Sequence, residues 1–175
     1  MPSPRDPALD ADVDPTTLSD EEWAAILDPV EHHILRHAGT EPPGTGRYLA
    51  DPGPGAFHCA GCGQRLYGAA HKFHSGCGWP SFWSEVDKDV LVIYRDRSHG
   101  MIRTEMRCSR CDGHMGHIFE DAPQTPTGRR HCVNGQAIVH VPDGEDVLDV
   151  FRSHRAARER RHPGVASRLR RLLGR

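Results

Sequence analysis

Apolar residues near the start of the chain recur at helical spacing. Trp23, Ile26 and Leu27 form one stripe, and Ser19 stands three residues before a glutamate, which is the spacing of a capping box. We therefore predict a helix that begins near Ser19. Pro29 is expected to end it, because proline cannot continue a helix.

Further along the chain, the hydrophobic pattern becomes that of short strands. A second short helix is predicted over residues 31–37, followed by a long loop rich in proline and glycine. β-rich runs separated by turn residues then predict five strands, at residues 57–59, 90–95, 101–107, 118–120 and 137–141. No helical stripe follows any of them, so we expect a mainly β fold of small antiparallel sheets with short N-terminal helices.

Both ends of the chain differ in composition from the middle. Residues 1–17 are rich in Pro, Asp and Ser and are predicted to be a disordered extension. Residues 18–142 are expected to form the domain, and residues 143–175 a basic, partly helical C-terminal extension. Nine arginines and one acid lie between residues 152 and 175. We interpret this segment as solvated; the alternative is an electrostatic arm for an acidic partner.

Composition suggests that the core needs additional stabilisation, such as a bound metal ion or a disulfide. Only 37% of residues are hydrophobic, while Gly (18) and Pro (14) are plentiful. No apolar run could span a bilayer, and the acidic N-terminus does not look like a secretory leader. We expect a cytoplasmic protein with no membrane partner, in which cysteines serve as metal ligands or catalysts. The acidic remainder of the chain argues against nucleic acid as a partner.

Four of the six cysteines form two Cys-x-x-Cys pairs, Cys59 with Cys62 and Cys108 with Cys111. This spacing lets two thiolates on one turn reach a single tetrahedral Zn²⁺. One pair could instead be a thioredoxin-like redox motif, but that motif needs a strand followed by a helix, which neither pair has. We predict one structural four-cysteine zinc site, which would contribute folding free energy rather than chemistry.

The remaining two cysteines, Cys77 and Cys132, have no zinc-like neighbours. Arg129, Arg130 and His131 precede Cys132, and positive charge there would favour its reactive thiolate; the alternative is a buried inert thiol. Cys77 lies between two glycines. It could resolve a sulfenic acid on another cysteine or be a loop cysteine without a partner, and the spacing favours neither.

Two histidines directly follow the second cysteine pair. His114 and His117 have His-x-x-His spacing, but the four cysteines already satisfy one zinc ion. Held by a metal-bound loop, the two imidazoles would be well placed to donate protons.

Taken together, these segments resemble the B-type family of methionine-R-sulfoxide reductases over roughly residues 16–142. The matching stretches, in order, are LSDEEW, HHILRHAGTEPP, CAGCG, KFHSGCGWPSF, GMIRTEMRCSRCDGHMGHIF and PTGRRHCVN. The resemblance implies a fold of two small antiparallel sheets, sometimes called a β-tent. It also implies that Cys132 is the nucleophile, that Cys77 is the resolving cysteine and that the four paired cysteines bind zinc. Five further positions match the family's active site: Trp79, His114, His117, Arg130 and Asn134.

The implied reaction is the repair of oxidised methionine in proteins. Trp79 would contact the substrate methyl group, while His114, His117 and Asn134 would hydrogen-bond the sulfoxide oxygen as Cys132 attacks sulfur. A Cys77–Cys132 disulfide would follow, and thioredoxin or a similar dithiol would reduce it. The protein is expected to act as a monomer.

The sequence departs from the family pattern next to the nucleophile and near the end of the last strand. Arg129 and His131 replace apolar or aromatic residues, which changes the surroundings of the thiol, and His140 replaces an aromatic residue. Two other functions compete with the reductase. A zinc-stapled binding module would not need Cys132 beside Asn134 and the two histidines, and a zinc-ribbon nucleic-acid binder is favoured only by the basic tail.

Overall fold

Two antiparallel sheets form the centre of the molecule, and this confirms the mainly β prediction. The computed structural model describes residues 5–163. The smaller sheet contains β1 (Gly55–Cys59), β2 (Arg65–Gly68) and β9 (Ile138–Pro142), in the order β2-β1-β9. The larger sheet contains β3 (Lys72–Phe73), β4 (Ser81–Phe82), β5 (Leu91–Asp96), β6 (Arg103–Cys108), β7 (His114–Ala122) and β8 (Gly128–Val133). Its order is β3-β4-β8-β7-β6-β5.

All five predicted strands are present with shifted ends, and four strands were missed. The most important of these is β8, whose sequence is Gly-Arg-Arg-His-Cys-Val. Three successive basic residues hide its alternation. The side chains of His131 and Val133 are buried, while that of Cys132, which lies between them, points to the other face of the sheet. β8 pairs with β4 on one side and β7 on the other, so this polar sequence occupies an interior position in the sheet.

Within residues 5–163, three α-helices accompany the sheets. They are α1 (Asp20–Ile26), α2 (Pro29–His37) and α3 (Val147–Arg161). α1 begins with the predicted capping box at Ser19, and α2 begins with a second one in which Asp28 is the N-cap. Pro29 thus starts α2 at a position where its missing N–H costs nothing. Among the described residues, no helix is both long and apolar enough to cross a membrane.

An aromatic cluster joins the two sheets. Phe57 of β1 packs edge-to-face on Phe82 of β4, with ring centroids 5.0 Å apart. Tyr67 of β2 stacks on the same Phe82 ring at 4.2 Å. All three side chains are fully buried, and their packing holds β4 against the smaller sheet at the point where β4 pairs with β8.

The N-terminal segment differs from the predicted disorder. Residues 5–17 pack against the domain, where Ala8 and Val13 are buried. The Asp6 carboxylate pairs with Arg155 of α3, its oxygen 2.7 Å from Nε, and Arg110 donates to the Pro7 carbonyl at 3.0 Å. Polar composition favours disorder only where a segment has no partners, and here arginines elsewhere in the chain supply them. Residues 1–4 lie outside the described residues.

The C-terminal segment is also more than a solvated extension. α3 buries Phe151 completely, and Arg158 donates to the carbonyls of Ala24 and Ala25 at the end of α1. Arg158, and Arg155 through its pair with Asp6, are therefore used by the fold and are not free to bind an acidic partner. The rest of the basic tail, residues 164–175, lies outside the described part of the chain.

One buried carboxylate joins α2, the loop after it and α3. Glu31 accepts hydrogen bonds from His154 at 2.6 Å and from Arg47 at 3.0 Å, and Arg155 lies 3.9 Å away. Burial alone would raise the pKa of Glu31. The hydrogen bond and charge of His154, together with the charges of the two arginines, outweigh this effect and lower the pKa to about 2. The carboxylate is therefore ionised and fully paired at neutral pH.

Replacing Phe151 with alanine should show whether α3 belongs to the folded unit. Removing a fully buried phenylalanine costs about 3–5 kcal/mol, so F151A should lower the free energy of unfolding by that amount. Urea denaturation measures it. L148A is the matched control, because Leu148 lies on the same helix but is 40% exposed. Equal, small losses in both variants would mean that α3 does not stabilise the domain.

Candidate active site

Cys132 lies at the centre of a row of side chains that crosses the larger sheet. Antiparallel register places it opposite Ser81 of β4 and opposite His117 of β7, and His117 in turn faces Glu105 of β6. Directly opposed residues project to the same face with Cβ atoms about 5 Å apart. The row therefore brings a thiol, a hydroxyl, an imidazole and a carboxylate together on one surface of a rigid sheet.

β7 and β8 approach each other closely at this row because of a glycine. A Cβ atom on Gly116 would lie 1.9 Å from the backbone carbonyl oxygen of Cys132. Any side chain there would push the strands apart next to Cys132. Gly116 is thus required by close approach rather than by a turn.

Cys77 reaches Cys132 from the loop between β3 and β4. The two sulfur atoms are 3.9 Å apart, which answers the question that spacing left open, namely whether Cys77 has a partner. The flanking Gly76 and Gly78 have φ angles of 75° and 94°, values that favour glycine. Both thiols are free. One is therefore fixed in a strand, and the other is presented on a glycine-flanked loop.

The two thiols have different pKa values. Burial raises the pKa of the Cys132 thiol to about 12, with Cys77 adding to the rise and Arg130 opposing it. Burial also raises the pKa of Cys77, but hydrogen bonds from Ser75 and Ser81 outweigh burial and lower it to about 7. These opposite shifts favour the thiolate at Cys77 over the thiolate at Cys132 in the free reduced protein, whereas the sequence had favoured Cys132.

Strand alternation changes which of the three expected basic residues lies beside Cys132. The His131 side chain turns to the opposite, buried face, where Tyr67 Oη lies 3.2 Å from its Nδ1. Burial lowers the pKa of His131 to about 4, so it is neutral near pH 7. Arg129 is half exposed. Only Arg130, two residues before Cys132 and on its face, lowers the thiol pKa.

Alkylation of the reduced protein should reveal this order of the thiols. Iodoacetamide reacts with thiolate, so labelling of Cys77 should rise as the pH passes through about 7, while Cys132 labels far more slowly. Mass spectrometry measures the rate at each site. S81A should move the Cys77 transition to higher pH, whereas the nearby S84A should not. Faster labelling of Cys132 at pH 7 would contradict the assignment.

Arg130 is held in place from two sides. It forms two hydrogen bonds with the Asp121 carboxylate, at 3.0 and 2.8 Å, and its guanidinium lies 4.5 Å from the centre of the Phe119 ring. The paired carboxylate raises the pKa of Arg130, which is always charged. Arg130 therefore places a fixed positive charge near Cys132.

Each predicted histidine has a carboxylate partner. His117 Nε2 is 2.8 Å from Asp96, whose pKa is lowered by hydrogen bonds from Ser98 and His117. His114 Nδ1 is 2.6 Å from Glu105. Burial lowers the pKa of His114. The two ring centroids are 5.5 Å apart. Each imidazole is oriented by a carboxylate, which is how catalytic bases are commonly held in place by a further side chain.

Asn134 and Trp79 are tied to a buried glutamate that the sequence analysis did not single out. Asn134 accepts from the Glu41 N–H at 3.1 Å and donates to the Met115 carbonyl at 3.2 Å, so its polar atoms bind the backbone. Trp79 Nε1 donates to the Glu41 carbonyl at 3.1 Å. The Glu41 carboxylate accepts from the N–H groups of Gly135 and Gln136. These contacts fix the loop that carries Trp79 to the end of β8.

Sequence reasoning missed five polar residues that the structure brings into or beside this site: Glu41, Ser75, Ser81, Asp96 and Glu105. Four of them lie in segments that already stood out, and one of these is Glu105, within GMIRTEMRCSRCDGHMGHIF. The serines flank Cys77 within KFHSGCGWPSF, and Glu41 follows α2 within HAGTEPP. Asp96 ends an exposed edge strand, and only the sheet register relates it to His117.

Four buried cysteines converge at the last residues of β1 and β6 and in the turns that follow these strands. The Sγ atoms of Cys59 and Cys111 are 3.6 Å apart, those of Cys62 and Cys108 are also 3.6 Å apart, and all four lie within 4.8 Å of one another. A tetrahedral ion with metal–sulfur bonds of about 2.3 Å places its ligands about 3.8 Å apart. The cluster therefore has the size and donor set for one metal ion.

Arginines surround this cluster through the carbonyl groups of its two turns. Arg36 donates to the Cys111 carbonyl at 2.7 Å, Arg155 donates to Gly61 at 3.1 Å, and Arg110 donates to Cys62. Four thiolates around a divalent ion carry a net charge of about −2, which these guanidinium groups offset.

Sequence comparisons agree with the geometry. The SelR domain family matches residues 27–142. A peptide methionine sulfoxide reductase MsrB of Thioalkalivibrio sulfidiphilus is 48% identical over 124 residues, covering 71% of this chain and 90% of that protein. The protein of the same name from Pseudomonas putida is 47% identical over 118 residues, covering 67% and 89%. That of Hahella chejuensis is 44% identical over 134 residues, covering 76% and 96%.

A paired-thiol site on a small β fold with a buried four-cysteine cluster defines a thiol-dependent oxidoreductase. The chain belongs to the methionine-R-sulfoxide reductase B family, as its match to the SelR domain and to these relatives shows.

Proposed function

We propose that the chain reduces the R epimer of methionine sulfoxide in oxidised proteins and so repairs them. The observation that carries this proposal is the contact between Cys132 and Cys77, with sulfur atoms 3.9 Å apart beside a histidine–carboxylate pair. Two thiols at this distance can supply the two electrons that removal of one oxygen atom requires.

In the first step, Cys132 sulfur attacks the sulfoxide sulfur. The S–O bond of the substrate breaks, oxygen passes to Cys132, and the thiol proton ends on that oxygen, giving a sulfenic acid and methionine. The high pKa of Cys132 in the free protein means that deprotonation accompanies substrate binding. Arg130 stabilises the developing thiolate from its fixed position, because it lowers the pKa of that thiol.

The histidines and Trp79 divide the task of holding the sulfoxide. His117, oriented by Asp96, and His114, oriented by Glu105, donate protons toward the sulfoxide oxygen and make the sulfur electrophilic. Trp79, fixed through its indole N–H, offers an apolar wall to the methyl group. Asn134 acts as a positioning residue through its backbone hydrogen bonds.

In the second step, Cys77 attacks the Cys132 sulfenic acid. A sulfur–sulfur bond forms, and the hydroxyl leaves as water by taking up one proton, which balances the proton that Cys77 released when it became a thiolate. The pKa of about 7 at Cys77 supplies thiolate at neutral pH, and the hydrogen bonds from Ser75 and Ser81 provide it.

Recycling and location follow from the disulfide product. We propose that thioredoxin or a similar dithiol reduces the Cys77–Cys132 disulfide by exchange. Six free cysteines, four of them gathered as metal ligands, support a reducing compartment such as the cytoplasm. The chain is also proposed to act as a monomer.

The ion bound by the four cysteines is proposed to be Zn²⁺, one per chain. Thiolate-only tetrahedral sites favour zinc, and with four protein ligands no coordination position is left for substrate. Bound zinc supplies folding free energy by joining the turns after β1 and β6.

Turnover of separate sulfoxide epimers tests the proposed function. With thioredoxin, thioredoxin reductase and NADPH, the chain should reduce only the R epimer of dabsylated methionine sulfoxide. A parallel assay with dithiothreitol separates failure of recycling from failure of the first step. Folded, zinc-loaded protein that reduces neither epimer with either reductant would overturn the proposal.

A further inference from the structure

A second cluster of metal-ligating side chains lies on the helices, apart from the four cysteines. It consists of Asp20, the first residue of α1, with His32 and His37 of α2. His32 Nε2 is 2.9 Å from Asp20 Oδ1, and His37 Nε2 is 3.3 Å from the same oxygen. The three donor atoms all lie within 4.8 Å of one another.

We propose that these three side chains form a binding site for a divalent transition-metal ion, with Zn²⁺ as the reference ligand. Tetrahedral coordination with bonds of about 2.0–2.1 Å separates neighbouring donors by about 3.4 Å. The observed separations need only small side-chain rotations to match it. Two imidazoles and one carboxylate suit zinc, copper and nickel, whereas calcium and magnesium prefer oxygen ligands alone.

The arrangement of the rings favours a metal site over a simple ion pair. Both Nε2 atoms point at a single carboxylate oxygen, although a carboxylate has two oxygens that could each accept one imidazole. The rings are 4.9 Å apart and nearly perpendicular, so their Nε2 atoms converge without stacking. The two nitrogens and this oxygen are therefore close enough together to bind a single ion.

The helices that carry the cluster are well fixed. Each begins with a capping box, at Ser19 and at Asp28, and only Leu27 and Asp28 separate the two helices. The His32 side chain is 16% exposed, while those of Asp20 and His37 are at least half exposed. A bound ion would therefore have its three protein ligands on one side and water on the other, as in sites with an open coordination position.

Such an ion would join the first residue of α1 to the last residue of α2. α2 also contacts the four-cysteine cluster through Arg36 and the Cys111 carbonyl. Metal binding at the helices should therefore stabilise the domain by mass action, and the melting temperature should rise with free zinc concentration.

Calorimetric titration of Zn²⁺ into untagged protein already loaded with one zinc per chain tests the proposal. Wild type should bind one further equivalent. H37Q and D20N should weaken that binding at least about tenfold, since loss of even an outer partner of a metal ligand costs 10–100-fold. H33Q is the matched control: His33 is an exposed histidine of the same helix outside the cluster, and its loss should leave affinity unchanged.

Two further readouts make the result decisive. The zinc-dependent rise in melting temperature should disappear in H37Q and D20N but remain in H33Q. Co²⁺ at this site should give weak visible bands without the thiolate absorption of the cysteine cluster. Wild type that stays at one zinc per chain, or binding that is equal in H37Q and H33Q, would overturn the proposal. Neither outcome bears on methionine sulfoxide turnover.

Discussion

Replacing Cys132 with serine is expected to abolish methionine sulfoxide reduction with every reductant. Serine is almost isosteric, so β8 and its pairing with β4 and β7 should persist, but a hydroxyl cannot accept oxygen and later exchange with a thiol. Loss of a covalent nucleophile costs on the order of 10⁴-fold or more in turnover. Epimer turnover with dithiothreitol and with thioredoxin measures the loss.

The matched variant is C77S, which removes the other thiol of the pair. It should still convert one equivalent of sulfoxide and accumulate a Cys132 sulfenic acid, which dimedone traps for mass spectrometry. Turnover with dithiothreitol should continue because an external thiol replaces Cys77, whereas turnover with thioredoxin should fall. Retained activity in C132S, or sulfenic acid on Cys77 instead, would reverse the roles given to the two cysteines.

Replacing Cys108 with serine is expected to prevent stable folding. Structural zinc contributes about 10–16 kcal/mol of apparent binding free energy in small zinc domains, which is comparable with the whole stability of an ordinary domain. Loss of one of four buried ligands also leaves three thiol groups without a metal in the core. Zinc content and thermal unfolding of C108S, or of wild type treated with a strong chelator, measure the effect.

C77S also serves as the control for this experiment, because it removes a cysteine that lies outside the cluster. It should retain one structural zinc and change the melting temperature by only a few degrees. If C108S kept wild-type stability and zinc content, the four cysteines would not form the structural metal site.

Motif chemistry could be predicted from sequence because the residues that carry it are close together along the chain. The two Cys-x-x-Cys turns and the His-x-x-His run are local, and the structure places them at a metal-sized cluster and beside Cys132. The class of fold followed from short β runs without helical stripes. The pairing of Cys77 with Cys132, 55 residues apart, needed the family resemblance, because spacing left both interpretations open.

Properties that depend on which way a strand faces could not be predicted. His131 looked like a cation beside the nucleophile, yet alternation in β8 places it in the core with a pKa of about 4. β8 itself was missed because its polar residues line the active-site face of a buried strand. The contact of Asp96 with His117 could be known only from the register of the sheet.

The contacts of the two extensions could not be predicted for a related reason. Composition predicted a disordered N-terminus and a solvated, partly helical tail, and α3 is indeed helical, but composition shows charge without showing the partners of that charge. Asp6 and Arg155 are 149 residues apart and bind each other, so neither segment could be interpreted alone.

Glu31 has a consequence for synthesis of the chain on the ribosome. It emerges early, but His154, its closest partner, follows 123 residues later, and Arg155 comes next. Until α3 is translated, closing the core would bury this carboxylate with Arg47 and the Asp28 N–H but without the two basic partners from α3, which is costly. Nascent chains should therefore remain open until nearly all of the domain has been made. In that interval the four cysteines stay accessible to zinc before the core closes around them.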